Sequence, residues 1–181
     1  MLSRRLSTIL LSSLLSLPAM ATPFDNADFT IELPEGFTGP QIKNDPNGYG
    51  LVFSKGHAGD NTRTVLEIAV AALKDKPATL SETDLQKLAN HMLAGRMALV
   101  ATRRQSFIAA PPATLRLSKL PAARGSWSGK VQGVDATGSI YAVVAGKRVF
   151  MLQAQDQKRP QQQDLEAAMR AIEAIQIKER E

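Results

Sequence analysis

The sequence predicts an α+β fold: an antiparallel β-sheet of about six to seven strands with helices on both faces, an α/β/α sandwich. Three observations predict it. Short stretches of alternating apolar and polar residues, bounded by clusters of Gly, Pro, Asn and Asp, recur along most of the chain. Two successive stretches between Gly138 and Ala154 are apolar at nearly every position, so both their sides need cover. Two further stretches, one central and one terminal, carry apolar residues at helical spacing and supply that cover.

The chain opens with Arg4 and Arg5, a leucine-rich run from Leu6 to Leu17, and Pro18-Ala19-Met20-Ala21. This order is that of a cleavable signal peptide over residues 1–21, with Ala19 and Ala21 as the small residues for signal-peptidase recognition. Ser7, Thr8, Ser12, Ser13 and Ser16 interrupt the run, which falls short of the roughly 20 apolar residues of a spanning helix. No retained membrane anchor is expected. Ser3-Arg4-Arg5 touches the twin-arginine pattern, but Leu6-Ser7-Thr8 does not continue it. Cleavage would leave residues 22–181, the length of a single globular domain. The destination is the periplasm where the host has two membranes, and the medium otherwise.

Loss of Arg4 and Arg5 takes the formal charge from +5 to +3. The densest basic points, Arg103-Arg104 and Lys158-Arg159, are only pairs and read as solvated surface, so no nucleic-acid binding is expected. The chain has no cysteine, which excludes disulfides and attachment of lipid to a cysteine.

Phe29-Thr30-Ile31-Glu32-Leu33 alternates and ends at Pro34-Glu35-Gly36, a half-buried strand and its turn. Asn44-Asp45-Pro46-Asn47-Gly48 is a second turn, leading into a strand over 50–55. After a loop from His57 to Asn61, Leu66, Ile68 and Val70 mark one face of a strand over 63–72. These strands together read as a meander. Ser81, with Asp84 three residues on, opens the first helix as its cap, and Leu85, Leu88, Ala89, Met92, Leu93 and Leu99 share a side. Arg96 falls within that stripe. The helix is expected to bend or end near Gly95, the alternative being that Arg96 reaches past the core edge to water or a carboxylate.

Beyond the Pro111-Pro112 break, residues 122–131 alternate, with Ala123, Gly125, Trp127, Gly129 and Val131 on one face and Trp127 aimed inward. Two strands over 138–145 and 147–154 follow, joined at Gly146 by a tight turn. The last helix starts near Pro160 and presents Leu165, Ala168, Met169, Ile172 and Ile175 on one side.

Candidate chemistry is sparse. Gly125-Ser126-Trp127-Ser128-Gly129-Lys130 has tryptophan where a nucleophile elbow needs serine, and it lacks the spacing of a phosphate-binding loop. A strand in which two glycines make room for one ring explains it better. Of the two histidines, His57 sits in a loop and His91 on the polar side of the first helix, and neither has metal-ligand spacing to a neighbour. No metal or cofactor is expected. Glu32, Glu67 and Asp135 are read as solvated carboxylates rather than a hydrolytic pair.

The entry Phe29 to Phe37, the helix after a long strand, and the terminal helix closing on Ile175 and Ile177 resemble the PsbP/Mog-like α/β/α sandwich superfamily, including exported bacterial members of the DcrB type. That resemblance implies a non-catalytic accessory protein: an extrinsic subunit, a small-GTPase binder, a chaperone for membrane segments, or an envelope factor. The expectation is therefore an exported envelope or periplasmic protein that binds a protein or lipid-like partner and is not an enzyme. Two alternatives stand beside it. One is an exported hydrolase with a site assembled from scattered residues around a histidine, and the other is an inhibitor or immunity-type protein with a flat acidic or aromatic patch.

Overall fold

The computed structural model describes residues 21–59, 62–73, 80–157 and 163–178. The expected signal peptide, apart from Ala21, lies outside the described residues, as do Lys158-Arg159 and the expected helix start at Pro160.

The described elements run β1 (Thr22–Asp25), β2 (Phe29–Leu33), β3 (Thr38–Asp45), β4 (Gly48–Gly56), β5 (Arg63–Ala72), α1 (Glu82–Ala101), β6 (Gln105–Ala109), β7 (Ala113–Leu117), β8 (Leu120–Val131), β9 (Val134–Ala145), β10 (Arg148–Gln157), α2 (Gln163–Glu173) and β11 (Gln176–Ile177). Eight strands form one sheet in the order β3-β4-β5-β10-β9-β8-β6, with β7 also on β8, and a second sheet of three strands runs β1-β2-β11. Every pairing is antiparallel. The α+β class is thus the one the sequence predicts.

The strand count is corrected from six or seven in one sheet to eight plus three. Pro34 ends β2, and Gly36 at φ +80° turns the chain away, so β2 leaves the meander and pairs with β1 and β11 instead. β6 and β7 take different stretches of β8, around Trp127 to Lys130 and Leu120 to Arg124. Pro111-Pro112, which cannot donate to a ladder, lies between them.

Two cores result. Ile140 and Ala142 of β9 pack with Ala89, Leu93 and Val100 of α1 and with Trp127, whereas Tyr141 and Val143 pack with Phe150, Leu152, Leu165, Ala168 and Ile172 and with β2. We call the two sheet faces by Ile140 and Tyr141. α1 packs on β8 and β9, while α2 packs on β10, β5 and β2.

Ser81 caps α1, accepting from the Asp84 amide at 3.2 Å and donating to its carboxylate at 2.6 Å. The Ser81 contact holds the exposed Asp84 carboxyl below its ordinary range. Two expectations for this helix are corrected. It runs unbroken through Gly95, because Arg96 finds Glu67 at 3.5 Å and does not force an end. Leu99 is 41% exposed, and Val100 takes the buried place. The glycines around Trp127 are also reassigned: a Cβ on Gly125 would meet Met97 Sδ at 3.1 Å and one on Gly129 the Gln105 carbonyl at 3.0 Å. Room for the indole comes from its cross-strand partner Gly138, where a Cβ would stand 3.0 Å from Trp127 Cζ2.

Asp28 ties the small sheet to β10: it pairs with Arg148 and accepts from the Tyr49 hydroxyl at 2.6 Å. Tyr141, fully buried, donates to Glu173 of α2 at 2.9 Å. Burial above all, and then the Glu173 charge, push its phenol well above the ordinary tyrosine range. The unfolded chain therefore releases this proton near the usual value of about 10, where the native state still holds it. The native state binds more protons above that point, so this contribution to stability is intact below about pH 10 and is lost as pH rises beyond it. Denaturant midpoints of wild type and Tyr141→Phe, compared at about pH 8 and about pH 11, should fall less on the alkaline side in the variant.

Candidate functional site

Cross-strand partners share a sheet face, and successive residues alternate. The register therefore lays Gln41, Val52, Glu67, Gln153 and Ile140 in one row. Lys43, Gly50, Ala69, Met151 and Ala142 flank it on one side. Ser54, Val65, Gln155, Gly138 and Trp127 flank it on the other. α1 lies over the β8–β9 end of these rows. At the β3–β4–β5 end the face opens into a groove of about 350 Å³ whose lining includes Gln41, Lys43, Val52, Ser54, Arg63 and Val65. On the Tyr141 face the same strands bury Leu51, Phe53, Leu66 and Ile68 to 4% exposure or less. One face of β4 and β5 is core and the other is open among the described residues.

A polar seam separates the helix-covered half from the groove. Arg104 donates to Gln155 Oε1 at 3.0 Å, and Gln153 donates to the same oxygen at 2.9 Å. The Arg104 guanidinium lies 5.2 Å from the centre of the Trp127 ring, on which Phe107 stacks at 6.1 Å and 23°. Among the described residues, Arg104 Nε, Trp127 Nε1 and Gln153 Oε1 have no hydrogen-bond partner. Burial, and then the nearby Arg103 and Arg96 charges, lower the Arg104 pKa from its ordinary value. Arg104 is therefore not the solvated surface residue its sequence neighbourhood suggests. Glu67 is likewise no free surface carboxylate, since Arg96 holds it at the edge of α1.

His57 lies on the Tyr141 face. Its Nε2 is 3.2 Å from Asp156 Oδ1 and 3.2 Å from Thr64 Oγ1, and its Nδ1 is 3.6 Å from Asp164 in the first turn of α2. Lys55 donates to Asp164 at 2.8 Å. A hydroxyl on one ring nitrogen and a carboxylate on the other is the order of a catalytic triad. Thr64, however, is 0% exposed and shares Nε2 with Asp156, so no substrate carbonyl can reach its oxygen. The cluster ties β4, β5, β10 and α2 together. His91, Glu32 and Asp135 are exposed, as the sequence suggests, and none of them joins this cluster.

Sequence reasoning did not single out Lys43, Arg63, Gln155 or Arg104 as a group. They sit on separate elements with no shared spacing: strand register brings Lys43, Arg63 and Gln155 to one face, and Arg104 joins them through its contact with Gln155.

No protein-family model matches the chain, and no curated protein matches it. Solved structures do match. LpqN of Mycobacterium tuberculosis, described as involved in cell envelope biogenesis, aligns with a TM-score of 0.54 at 14% identity, over 87% of this chain and 90% of its own. Cyanobacterial PsbP (CyanoP) from Synechocystis sp. PCC 6803 aligns with a TM-score of 0.57 at 11% identity, over 93% of this chain and 99% of its own. At such identities the likeness is one of fold. The chain has the PsbP-like fold that its entry strand and terminal helix suggest.

Proposed function

We propose that the chain is an exported accessory protein of the cell envelope that acts without catalysis, binding a protein or lipid-like partner in the groove on the Ile140 face. In this reading residues 22–181 are one α/β/α sandwich with the two helices on opposite faces. The observation that carries the proposal is the asymmetry of β4 and β5: core on one side, and on the other half-buried valines under exposed cations. A partly apolar concavity with a few polar groups is the usual form of a binding site. The leader supports export, and no helix among the described residues is long and apolar enough to cross a membrane. The PsbP-like fold and LpqN's part in envelope biogenesis support the accessory role. The buried Thr64 argues against acyl transfer at His57, and a cationic groove is unlike the acidic or aromatic patch of a toxin cap. Photo-crosslinking in envelope extract tests the proposal. A residue-specific crosslinker at Gln41 should capture a discrete partner, and one at exposed Glu166 on α2 should not.

A further inference from the structure

We infer that the groove takes an acidic, extended segment of a protein partner, which lies along β3 with its carboxylates directed at Lys43 and Arg63. The inference rests on the groove being the binding surface and names what occupies it.

Charge is the first argument. Of the charged residues that line the groove, Asp156 is held by His57, whereas Lys43 and Arg63 form no ion pair among the described residues. Carboxylates arriving there would give both side chains a counter-charge, and at the exposed Arg63 the paired hydrogen bonds that arginine offers.

The shape of the surface selects a polypeptide over a lipid. β3 stands at the end of the sheet, and seven of its eight residues are exposed, Ile42 to 64%. Among the described residues no strand pairs with its outer side, and such an edge offers main-chain donors and acceptors to an added strand, which only a peptide can use. The apolar lining is limited to Val52, Val65, Val131 and Ala136, of which the last is buried in the core beneath α1. It would leave acyl chains in water.

The test uses the mature chain and a fluorescein-labelled hexaglutamate peptide, followed by anisotropy. Saturable binding is expected. Lys43→Gln with Arg63→Gln should weaken it about tenfold, the effect of two partly screened charge contacts. The charge-matched pair Lys119→Gln with Lys147→Gln, both exposed and outside the groove, should leave it within about twofold. Equal thermal unfolding of the two double variants will show that the fold is kept. Absence of saturable binding, equal weakening by both pairs, or binding of phosphatidylglycerol vesicles in place of the peptide would overturn the inference. A partner crosslinked from Gln41 that persists in the Lys43/Arg63 variant would retain the groove as binding surface and remove the acidic partner. Loss of that crosslink only in the Lys43/Arg63 variant would support both.

Discussion

Replacing Trp127 by alanine should lower the free energy of unfolding by about 3–5 kcal/mol, the range for truncating a large buried aromatic. The indole is 3% exposed, and its neighbours are shaped around it. Phe107 stacks on it, Arg104 lies over it, and Gly138 leaves the space that its Cζ2 edge occupies. None of these can close the gap. Gly138 has no side chain to extend, and an Arg104 moved inward would carry its charge into an apolar hole. Urea denaturation should show a lower midpoint with an unchanged slope, since the same surface is exposed on unfolding. A loss below about 1 kcal/mol would mean that the site collapses freely and that Trp127 does not organise the seam.

The second large effect is expected at Gly48. A Cβ built there would stand 2.0 Å from the Val70 carbonyl oxygen and 2.8 Å from the Ala71 Cα. Both obstacles are backbone, so β4 and β5 would have to part where the β3–β4 hairpin begins. Gly48→Ala should therefore destabilise by about 3 kcal/mol, at the upper end for overpacking. Gly50, two residues on, is the internal control: its Cβ would meet nothing closer than 3.6 Å, so Gly50→Ala should be far milder. Equal effects at the two positions would show that the close approach at Gly48 relaxes without strain.

Much of the fold is legible in the sequence because each element carries its own signal. β2 and β5 fall where the alternation places them, and the capping pair Ser81 and Asp84 marks the start of α1. The apolar runs of β9 and β10 fill both cores, as strands without a polar face must. What is missed depends on distant residues. β1 and β11 are short and become strands only because β2 leaves the meander to meet them. Arg96 reads either as a sign of a helix end or as a side chain reaching a carboxylate, and the second holds because the fold brings Glu67, 29 positions earlier, beside it. His57 reads as a loop residue, yet Asp156 and Thr64 reach it through the pairing of β10 with β5.

The groove is hidden for the same reason. Lys43 and Arg63 come from separate strands, β3 and β5, and meet on one face only because each strand pairs with β4. Gln155 shows no periodic signal of its own, because its part in the seam is set by register with Val65 and Gly138.

The most direct test of the groove is the Gln41 crosslink repeated with Val52→Glu, which places a negative charge on the groove floor while leaving the Tyr141 face intact. A discrete partner should be captured from Gln41 in the wild-type background and lost with Val52→Glu, under conditions where both proteins are equally folded. Capture that survives Val52→Glu, or that is equally strong from Glu166, would contradict it.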